Sequence, residues 1–305
     1  MPARRIHLLL CLCLCLACAG CYLPGIGLIG INPIITFTVG GPSRIYIVNR
    51  SHVISVANLD GSGGASLGNL SGTLDRPRHI TLDSEAEKMY VTNQISNGGT
   101  VSKANLDGSG GASLLVNTLD GPSGIALDLT SRKMYVASWG GGTITVANLD
   151  GSGGSSFVVS TLDEPYAIAL DTEAGRLYAT DVRDDTVVVA NLDGSGGTTL
   201  TALTGKLVGP RCIALDVAAG KMYIANYLGN TITVANLDGS GAIALPVATL
   251  AGPVGIALDT GARKMYVTNY NNDTVTVANL NGSGGTSLGN LSGTLDRPLG
   301  IALGP

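Results

Sequence analysis

The chain has 305 residues, of which 13% are charged and 4% aromatic, while glycine occupies 44 positions. With a formal net charge of −4 and no basic block, the sequence excludes a general nucleic-acid-binding protein, which needs a cationic surface. A hydrophobic fraction of 45% argues against a disordered chain. The many glycines follow no triplet repeat, which excludes collagen and indicates numerous tight turns.

Residues 1–21 have the pattern of an export signal. Arg4 and Arg5 precede a short apolar core, and no further charged residue occurs before position 44. A basic start followed by an apolar stretch is typical of a secretory signal peptide. The segment ends in Ala-Gly-Cys at 19–21, which resembles the lipobox of bacterial lipoproteins, although Cys18 stands where that motif prefers leucine. The resemblance implies that Cys21 is acylated and anchors the protein to a membrane of the cell envelope.

Two alternatives to lipidation stay open. Simple cleavage of the signal would give a secreted protein, and the uncharged run is also long enough to span a bilayer as an uncleaved anchor. Residues 22–43, rich in glycine and proline, are expected to form a tether. Five of the six cysteines lie at or before position 21, so the remaining chain keeps only Cys212 and no internal disulfide. Burial of apolar side chains in a core must therefore stabilise this part of the chain.

Residues 44–305 contain six copies of one unit. The phrase Ala-Asn-Leu-Asp-Gly-Ser-Gly, or a near copy, begins at positions 57, 104, 147, 190, 235 and 278. Two further phrases recur with it: a basic residue, an apolar residue and tyrosine, and Pro-x-x-Ile-x-Leu. The repeat length of about 44 residues is typical of a four-stranded β-propeller blade.

The third unit shows the expected strands most clearly. Apolar runs at 124–128 and 133–137 are followed by an alternating run at 143–148, and a fourth strand is expected at 155–159. Asp150-Gly151 supplies a hairpin turn before that fourth strand. No helical periodicity is present. The sequence therefore predicts an all-β, six-bladed β-propeller of four-stranded antiparallel blades.

The chain ends suggest how the ring closes. The first unit starts at its second strand, with residues 44–48, whereas the last fragment, 300–303, reads as a first strand with no blade after it. We expect this C-terminal strand to complete the first blade. An alternative is that residues 35–39 fill that position, although their match to the repeat is out of phase by about one residue.

The combined phrases resemble the YWTD repeat of low-density-lipoprotein-receptor propellers over the whole of 44–305. The namesake tetrapeptide reads Tyr-Val-Thr-Asn at 90–93 and 266–269 and Tyr-Ile-Ala-Asn at 223–226. An aliphatic residue thus replaces its tryptophan. The resemblance implies a six-bladed propeller, but receptor-like ligand specificity does not carry over.

The loops between the second and third strands are where the units differ. Trp139, Tyr227 and Tyr270 occupy equivalent positions in three of these loops, among Asn, Asp and Arg side chains. Such amphipathic rings can form a patch for a sugar or a peptide. The alternative interpretation is that each ring covers the neighbouring blade.

The start of each innermost strand should lie at the mouth of the central channel, on the same face. Arg78 and Arg211 are three blades apart, as are His79 and Cys212, and Tyr166 shares the level of the arginines. Two converging arginines would accept a carboxylate or another anion. A catalytic or metal-binding His–Cys pair is disfavoured, because residues opposed across a ring axis are expected to be too far apart for a direct hydrogen bond.

Residues repeated in every blade are interpreted as structural. A basic residue follows Asp83, Asp128, Asp171, Asp216 or Asp259 across a short hairpin, which predicts hairpin ion pairs. The Asp-Gly-Ser-Gly turns lack the further oxygen ligands that calcium needs. The repeated tyrosine is expected to pack between blades. No metal and no cofactor are predicted.

The sequence therefore favours an exported, lipid-anchored, monomeric binding or scaffolding module. Its candidate ligand-binding residues are Arg78, His79, Trp139, Tyr166, Arg211, Cys212, Tyr227 and Tyr270, and the expected partner is an extracytoplasmic protein, peptide or glycan. The rival hypothesis is an enzyme similar to the metal-dependent lactonase or streptogramin-lyase propellers. A third is a recently amplified repeat array with a purely structural role.

Overall fold

The structure is a computed structural model that describes residues 41–95 and 98–305; the predicted signal peptide and tether, 1–40, lie outside the described residues. Nearly all its regular structure is β, with three single-turn 3-10 helices at Leu70–Gly72, Thr201–Leu203 and Leu291–Gly293. Within the described ranges, no helix is long and apolar enough to cross a membrane.

The strands form six blades, each a four-stranded antiparallel sheet. The first three blades use β1 (Arg44–Asn49), β2 (Ile54–Asn58), β3 (Ala65–Gly68), β4 (Pro77–Asp83), β5 (Lys88–Asn93), β6 (Thr100–Asn105), β7 (Ala112–Leu114), β8 (Pro122–Asp128), β9 (Lys133–Ser138), β10 (Thr143–Asn148) and β11 (Ser155–Val158). The last three use β12 (Pro165–Asp171), β13 (Arg176–Asp181), β14 (Thr186–Asn191), β15 (Thr198–Thr199), β16 (Pro210–Asp216), β17 (Lys221–Asn226), β18 (Thr231–Asn236), β19 (Ile243–Leu245), β20 (Pro253–Asp259), β21 (Lys264–Asn269), β22 (Thr274–Asn279) and β23 (Thr286–Ser287). The C-terminal strand β24 (Pro298–Gly304) belongs to the first blade.

The C-terminal strand closes the ring, as predicted. β24 pairs antiparallel with β1, from Arg44 opposite Gly304 to Ile47 opposite Ile301. It thereby occupies the innermost position that the alternative assigned to residues 35–39, which lie outside the described residues. The six innermost strands contact one another in cyclic order, from β4 through β20 to β24 and back to β4. The six-bladed propeller is confirmed.

The core lies between the blades. Each second strand is almost wholly buried, and its tyrosine packs against the second strand of the next blade: Tyr90 is in one buried cluster with Met134 and Val136, and Tyr266 is in another with Ile45 and Ile47. This confirms the expected position of the repeated tyrosine. Because every blade is covered on both faces by its neighbours, the ring needs no disulfide.

The predicted hairpin ion pairs are replaced by other contacts. The Asp128 carboxylate accepts the backbone N–H of Ser131 (3.0 Å), which closes the turn. Lys133 reaches across to the third strand and donates to Asn148 (2.6 Å). Asn148 in turn donates to Ser152 (2.8 Å) in the Asp-Gly-Ser-Gly turn. The same lysine–asparagine contact recurs in blades 2, 5 and 6, so these lysines tie the second strand of their blade to the third.

Candidate functional site

Two rings of side chains form the mouth of the central channel, each ring with one residue from every blade. The inner ring is the second residue of each innermost strand: Arg78, Ser123, Tyr166, Arg211, Val254 and Leu299. The outer ring is the residue that follows each second strand: Arg50, Gln94, Trp139, Val182, Tyr227 and Tyr270. The sequence differs between units at both positions, and the fold brings them to one face.

Backbone hydrogen bonds fix the outer ring to the loop that enters the same blade. The N–H of Tyr227 donates to Gly209 (2.8 Å), and that of Tyr270 donates to Gly252 (3.0 Å). The buried side chain of Asn226, which ends the second strand, accepts the N–H of Val208 in the same loop (3.2 Å). Equivalent backbone bonds hold the other outer-ring residues. The mouth is therefore built on rigid backbone.

The arginine pocket is a cavity of about 190 Å³ at the mouth. Its lining consists of three arginines, three tyrosines and two aliphatic residues: Arg50, Arg78, Tyr166, Arg211, Tyr227, Val254, Tyr270 and Leu299. The structure thus brings together five of the sequence-predicted site residues. The described lining contains no carboxylate.

Aromatic contacts pre-organise this pocket. The Arg211 guanidinium carbon lies 4.5 Å from the ring centroid of Tyr166 and 5.5 Å from that of Tyr227. Tyr227 and Tyr270 meet edge to face, with centroids 6.0 Å apart, and Arg50 donates a hydrogen bond to the Tyr270 hydroxyl. Cation–π stacking of this kind holds a guanidinium in place while leaving its N–H groups available.

The electrostatics of the arginine pocket favour an anion. Arg78 Nε is buried and has no hydrogen-bond partner in the described part of the chain. A buried charged donor without a partner is costly, so a ligand oxygen that accepts from it would be stabilised. Three guanidinium groups around one small cavity provide the geometry for a carboxylate or a comparable oxyanion.

A second cavity of about 310 Å³ adjoins the arginine pocket and shares Arg78, Tyr166 and Arg211 with it. Trp139 lines this second cavity and is 42% exposed, and its indole N–H donates to Glu164 (3.2 Å). The three rings predicted as one patch are thus distributed over two cavities. Tyr227 and Tyr270 lie in the arginine pocket, whereas Trp139 lies beside it.

His79 and Cys212 lie one residue further along their strands and meet across the channel. The Cys212 Sγ is 3.5 Å from His79 Nε2, a hydrogen-bond contact between blades 2 and 5. The sequence-based expectation that opposed residues stay too far apart is therefore wrong. Small residues at the same level, such as Gly124 and Gly300, let the inner strands approach closely and narrow the channel.

Both members of this pair are neutral near pH 7. Burial lowers the pKa of His79 to about 4, an effect that the backbone of Ile125 partly opposes, and Nδ1 makes no hydrogen bond of normal geometry to the described residues. Burial raises the pKa of Cys212 to about 11. A neutral thiol beside a neutral imidazole is a poor nucleophile. In the described ranges, no cluster of three or more His, Cys, Asp or Glu side chains could hold a metal ion.

Several residues that line the two cavities were not among the sequence-predicted candidates. Arg50, Val254 and Leu299 line the arginine pocket. The second cavity adds Gln94, Glu164, Val182 and Leu228, the last of which is 68% exposed. Arg50 occupies the same repeat position as Trp139 and Tyr227, so aligning the six units by that position would have found it.

Comparisons with known proteins support the fold and leave the family open. The family model "Lactonase, 7-bladed beta-propeller" matches residues 36–163, which is less than half of the chain, and the structure has six blades. No curated protein sequence matches significantly.

Two of the solved structures that match this chain illustrate the similarity. A chain from a crystal structure of a nidogen/laminin complex has 18% identity and a TM-score of 0.73, covering 86% of this chain and 98% of its own. The structure of a catalytically inactive virginiamycin B lyase from Staphylococcus aureus with quinupristin has 17% identity and a TM-score of 0.63, covering 86% and 92%. At these identities the similarity establishes the propeller fold alone.

Proposed function

We propose that the protein is an exported, lipid-anchored propeller of the YWTD type that serves as a binding module at the cell envelope. Its mouth face binds a peptide, glycan or protein that carries an acidic group. The observation that carries this proposal is the arginine pocket, where Arg50, Arg78 and Arg211 surround a cavity whose lining holds no carboxylate. The pocket faces outward, so it suits recognition of a group on a larger ligand.

The structural neighbours allow both a binding and an enzymatic role. The nidogen/laminin structure is that of a protein complex, which supports a protein partner by analogy of fold. The lactonase model and the virginiamycin B lyase support the rival hypothesis of a propeller enzyme. Against that rival, His79 and Cys212 are held neutral, and the described residues offer no three-ligand metal cluster. Elemental analysis distinguishes the two roles, because a stoichiometric divalent ion in the purified protein would favour the enzyme.

Replacing arginines at the mouth tests the binding role. The double variant Arg78→Ala/Arg211→Ala is compared with wild type on an array of acidic and neutral glycans and peptides. We expect binding of acidic ligands to fall at least tenfold, since charge-assisted hydrogen bonds to both guanidinium groups are lost. The matched control is Arg176→Ala, which removes an exposed arginine at the start of a second strand. Unchanged binding in the double variant would refute the proposed site.

The anchor has its own test. Labelled palmitate should be incorporated into the wild-type chain and not into Cys21→Ala. Equal labelling, or none in either chain, would overturn lipidation at Cys21, and recovery of unlabelled wild type from the medium would favour secretion.

A further inference from the structure

We propose that the ligand is a peptide segment in which a carboxylate enters the arginine pocket and a neighbouring apolar side chain fills the adjoining cavity. The inference deepens the proposed function and rests on it. The two cavities share Arg78, Tyr166 and Arg211, so one continuous ligand can occupy both without leaving the mouth.

The second cavity lies beside an apolar surface, here called the apolar shelf, that consists of the exposed Trp139, Val208 and Leu228 and the half-buried Val182. Trp139, Val182 and Leu228 line the cavity, and Val208 lies next to Leu228, because the backbone N–H of Gly229 donates to the Val208 carbonyl (3.1 Å). Leu228 is 68% exposed and Val208 is 47% exposed. Large aliphatic side chains grouped beside a charged pocket are typical of a surface that is covered by a partner.

The size of the arginine pocket suits one acidic group. At about 190 Å³ it is smaller than the roughly 300 Å³ of pockets that enclose a drug-sized ligand. A single aspartate or glutamate side chain, or a terminal carboxylate, matches this volume. Tyr166 and Tyr227, already stacked on Arg211, would flank the carboxylate with aromatic surface.

The lining of the second cavity favours a peptide over a glycan. A sugar ring presents hydroxyl groups around its edge and needs hydrogen-bonding side chains to match them. Apart from Arg78, Tyr166 and Arg211, which it shares with the arginine pocket, the second cavity is lined by Val182, Leu228, Gly209, the Trp139 ring, Gln94 and Glu164. The Glu164 carboxylate is already engaged by the Trp139 indole. If Arg78 and Arg211 hold the carboxylate, an aliphatic side chain of a peptide gains from contact with Val182, Leu228 and the Trp139 ring, whereas a hydroxylated ring would have Gln94 as its main remaining hydrogen-bonding partner.

The charged residues around the second cavity also affect which ligand residue it accepts. Glu164 lines that cavity, and the neighbouring Asp163 pairs with Arg183 at 2.7 Å. Glu164 disfavours a second acidic group beside Trp139, whereas Arg78 and Arg211 lie on the side shared with the arginine pocket and would be neutralised by the first carboxylate. With the exposed Leu228 beside it, this position favours an apolar residue next to the acid. The recognised sequence is therefore one carboxylate with an adjacent leucine-like side chain.

Trp139 gives a direct readout, because it is the single tryptophan of the chain and lines the second cavity. The full-length protein in detergent is titrated with acetylated, amidated hexapeptides that contain Leu-Asp, Ser-Asp or Leu-Asn in a Gly/Ser background. We expect Trp139 fluorescence to change with the Leu-Asp peptide and its affinity to exceed that of the other two about tenfold or more.

Variants assign each half of the ligand to its cavity. Leu228→Ser should weaken the Leu-Asp peptide severalfold and leave the Ser-Asp peptide unchanged. The matched control is Ile243→Ser, because Ile243 is 59% exposed on the outermost strand β19. Arg211→Lys keeps the positive charge but loses the planar fork, so it should weaken both acidic peptides. Circular dichroism verifies that each variant is folded.

The outcomes separate this inference from the proposed function. Equal binding of Leu-Asp and Ser-Asp peptides, with no effect of Leu228→Ser, overturns the peptide inference but leaves carboxylate binding intact. Binding of oligosaccharides containing uronic acid, with no binding of any peptide, identifies a glycan ligand and also overturns it. If neither acidic ligand class binds more weakly to the Arg78→Ala/Arg211→Ala variant, the proposed function itself fails.

Discussion

Cys212 and His79 come from opposite blades of the ring, yet the cysteine sulfur lies 3.5 Å from the histidine Nε2. The contact spans the channel axis one residue below the arginine pocket. A ligand on the mouth face therefore meets a bridged channel and not an open pore. Both side chains are neutral at pH 7, so the bridge joins blades 2 and 5 without a buried charge.

The His79 pKa predicts a loss of stability at acidic pH. Because its folded pKa is lowered to about 4 from 6.5, the unfolded chain binds a proton in a range where the folded protein does not. The stabilisation is fully present above about pH 6.5, declines as the pH falls towards 4, and changes no further below that. The free energy of unfolding should lose up to about 3 kcal/mol, and less where channel water reaches the ring.

Urea unfolding of wild type and His79→Gln at pH 7 and pH 4.5 measures this effect. Carboxylates also titrate in this range, so the decisive quantity is how much smaller the pH-dependent loss is in the variant. His52→Asn, in a surface loop, serves as the control and should keep the wild-type loss. An identical loss in His79→Gln would contradict the lowered pKa.

Cys212 should be chemically inert in the folded protein. Burial raises its pKa to about 11, so little thiolate forms at pH 7.5, and the sulfur is shielded from solvent. Peptide mapping after iodoacetamide treatment of the full chain should find Cys212 unmodified in buffer and alkylated in urea. Rapid alkylation without denaturant would show that the channel opens and that the bridge is transient.

The fold could be predicted from the sequence because the same pattern of strands and turns recurs in six units. The closing strand was predictable as well, since the residues around Ile301 form an innermost strand that lacks a blade of its own. The width of the channel was not predictable from the sequence, because it depends on how closely the innermost strands approach one another at positions such as Gly124 and Gly300. The hydrogen bond from Lys133 to Asn148 was not predicted either, because it also depends on how neighbouring strands are arranged. The second strand lies between the first and the third, so Lys133 can bond either to Asp128 or to Asn148. The Asp128 carboxylate already accepts a backbone N–H of its own turn, and Lys133 donates to Asn148.

Glycine at the channel level is required by close packing. A Cβ placed on Gly124 would lie 2.7 Å from the Ala167 Cα and 2.8 Å from the Ile168 nitrogen, both backbone atoms of the next blade. Gly124→Ala should therefore lower the free energy of unfolding by about 1–3 kcal/mol, since overpacking forces the inner strands apart. Thermal and urea unfolding measure the change. Gly261→Ala is the matched control, because the nearest atom there is an Asp259 carboxylate oxygen at 3.4 Å, and equal stability losses in both variants would contradict the packing argument.

Ring closure by β24 should dominate the stability of the whole domain. Deleting residues 298–305 removes the buried side chains of Leu299 and Ile301 and leaves β1 without its inner neighbour. Loss of each buried side chain alone costs about 2–5 kcal/mol, and the exposed edge of β1 invites pairing with other chains. Because every blade relies on its neighbours to bury its faces, the loss of stability is not confined to the first blade.

We expect the truncated chain to aggregate or to lose its cooperative thermal transition, measured by size-exclusion chromatography and circular dichroism. Removal of Pro305 alone, which is exposed and lies beyond the strand, should leave the transition unchanged. A truncated chain that stays monomeric and melts at the wild-type temperature would show that another segment can close the ring.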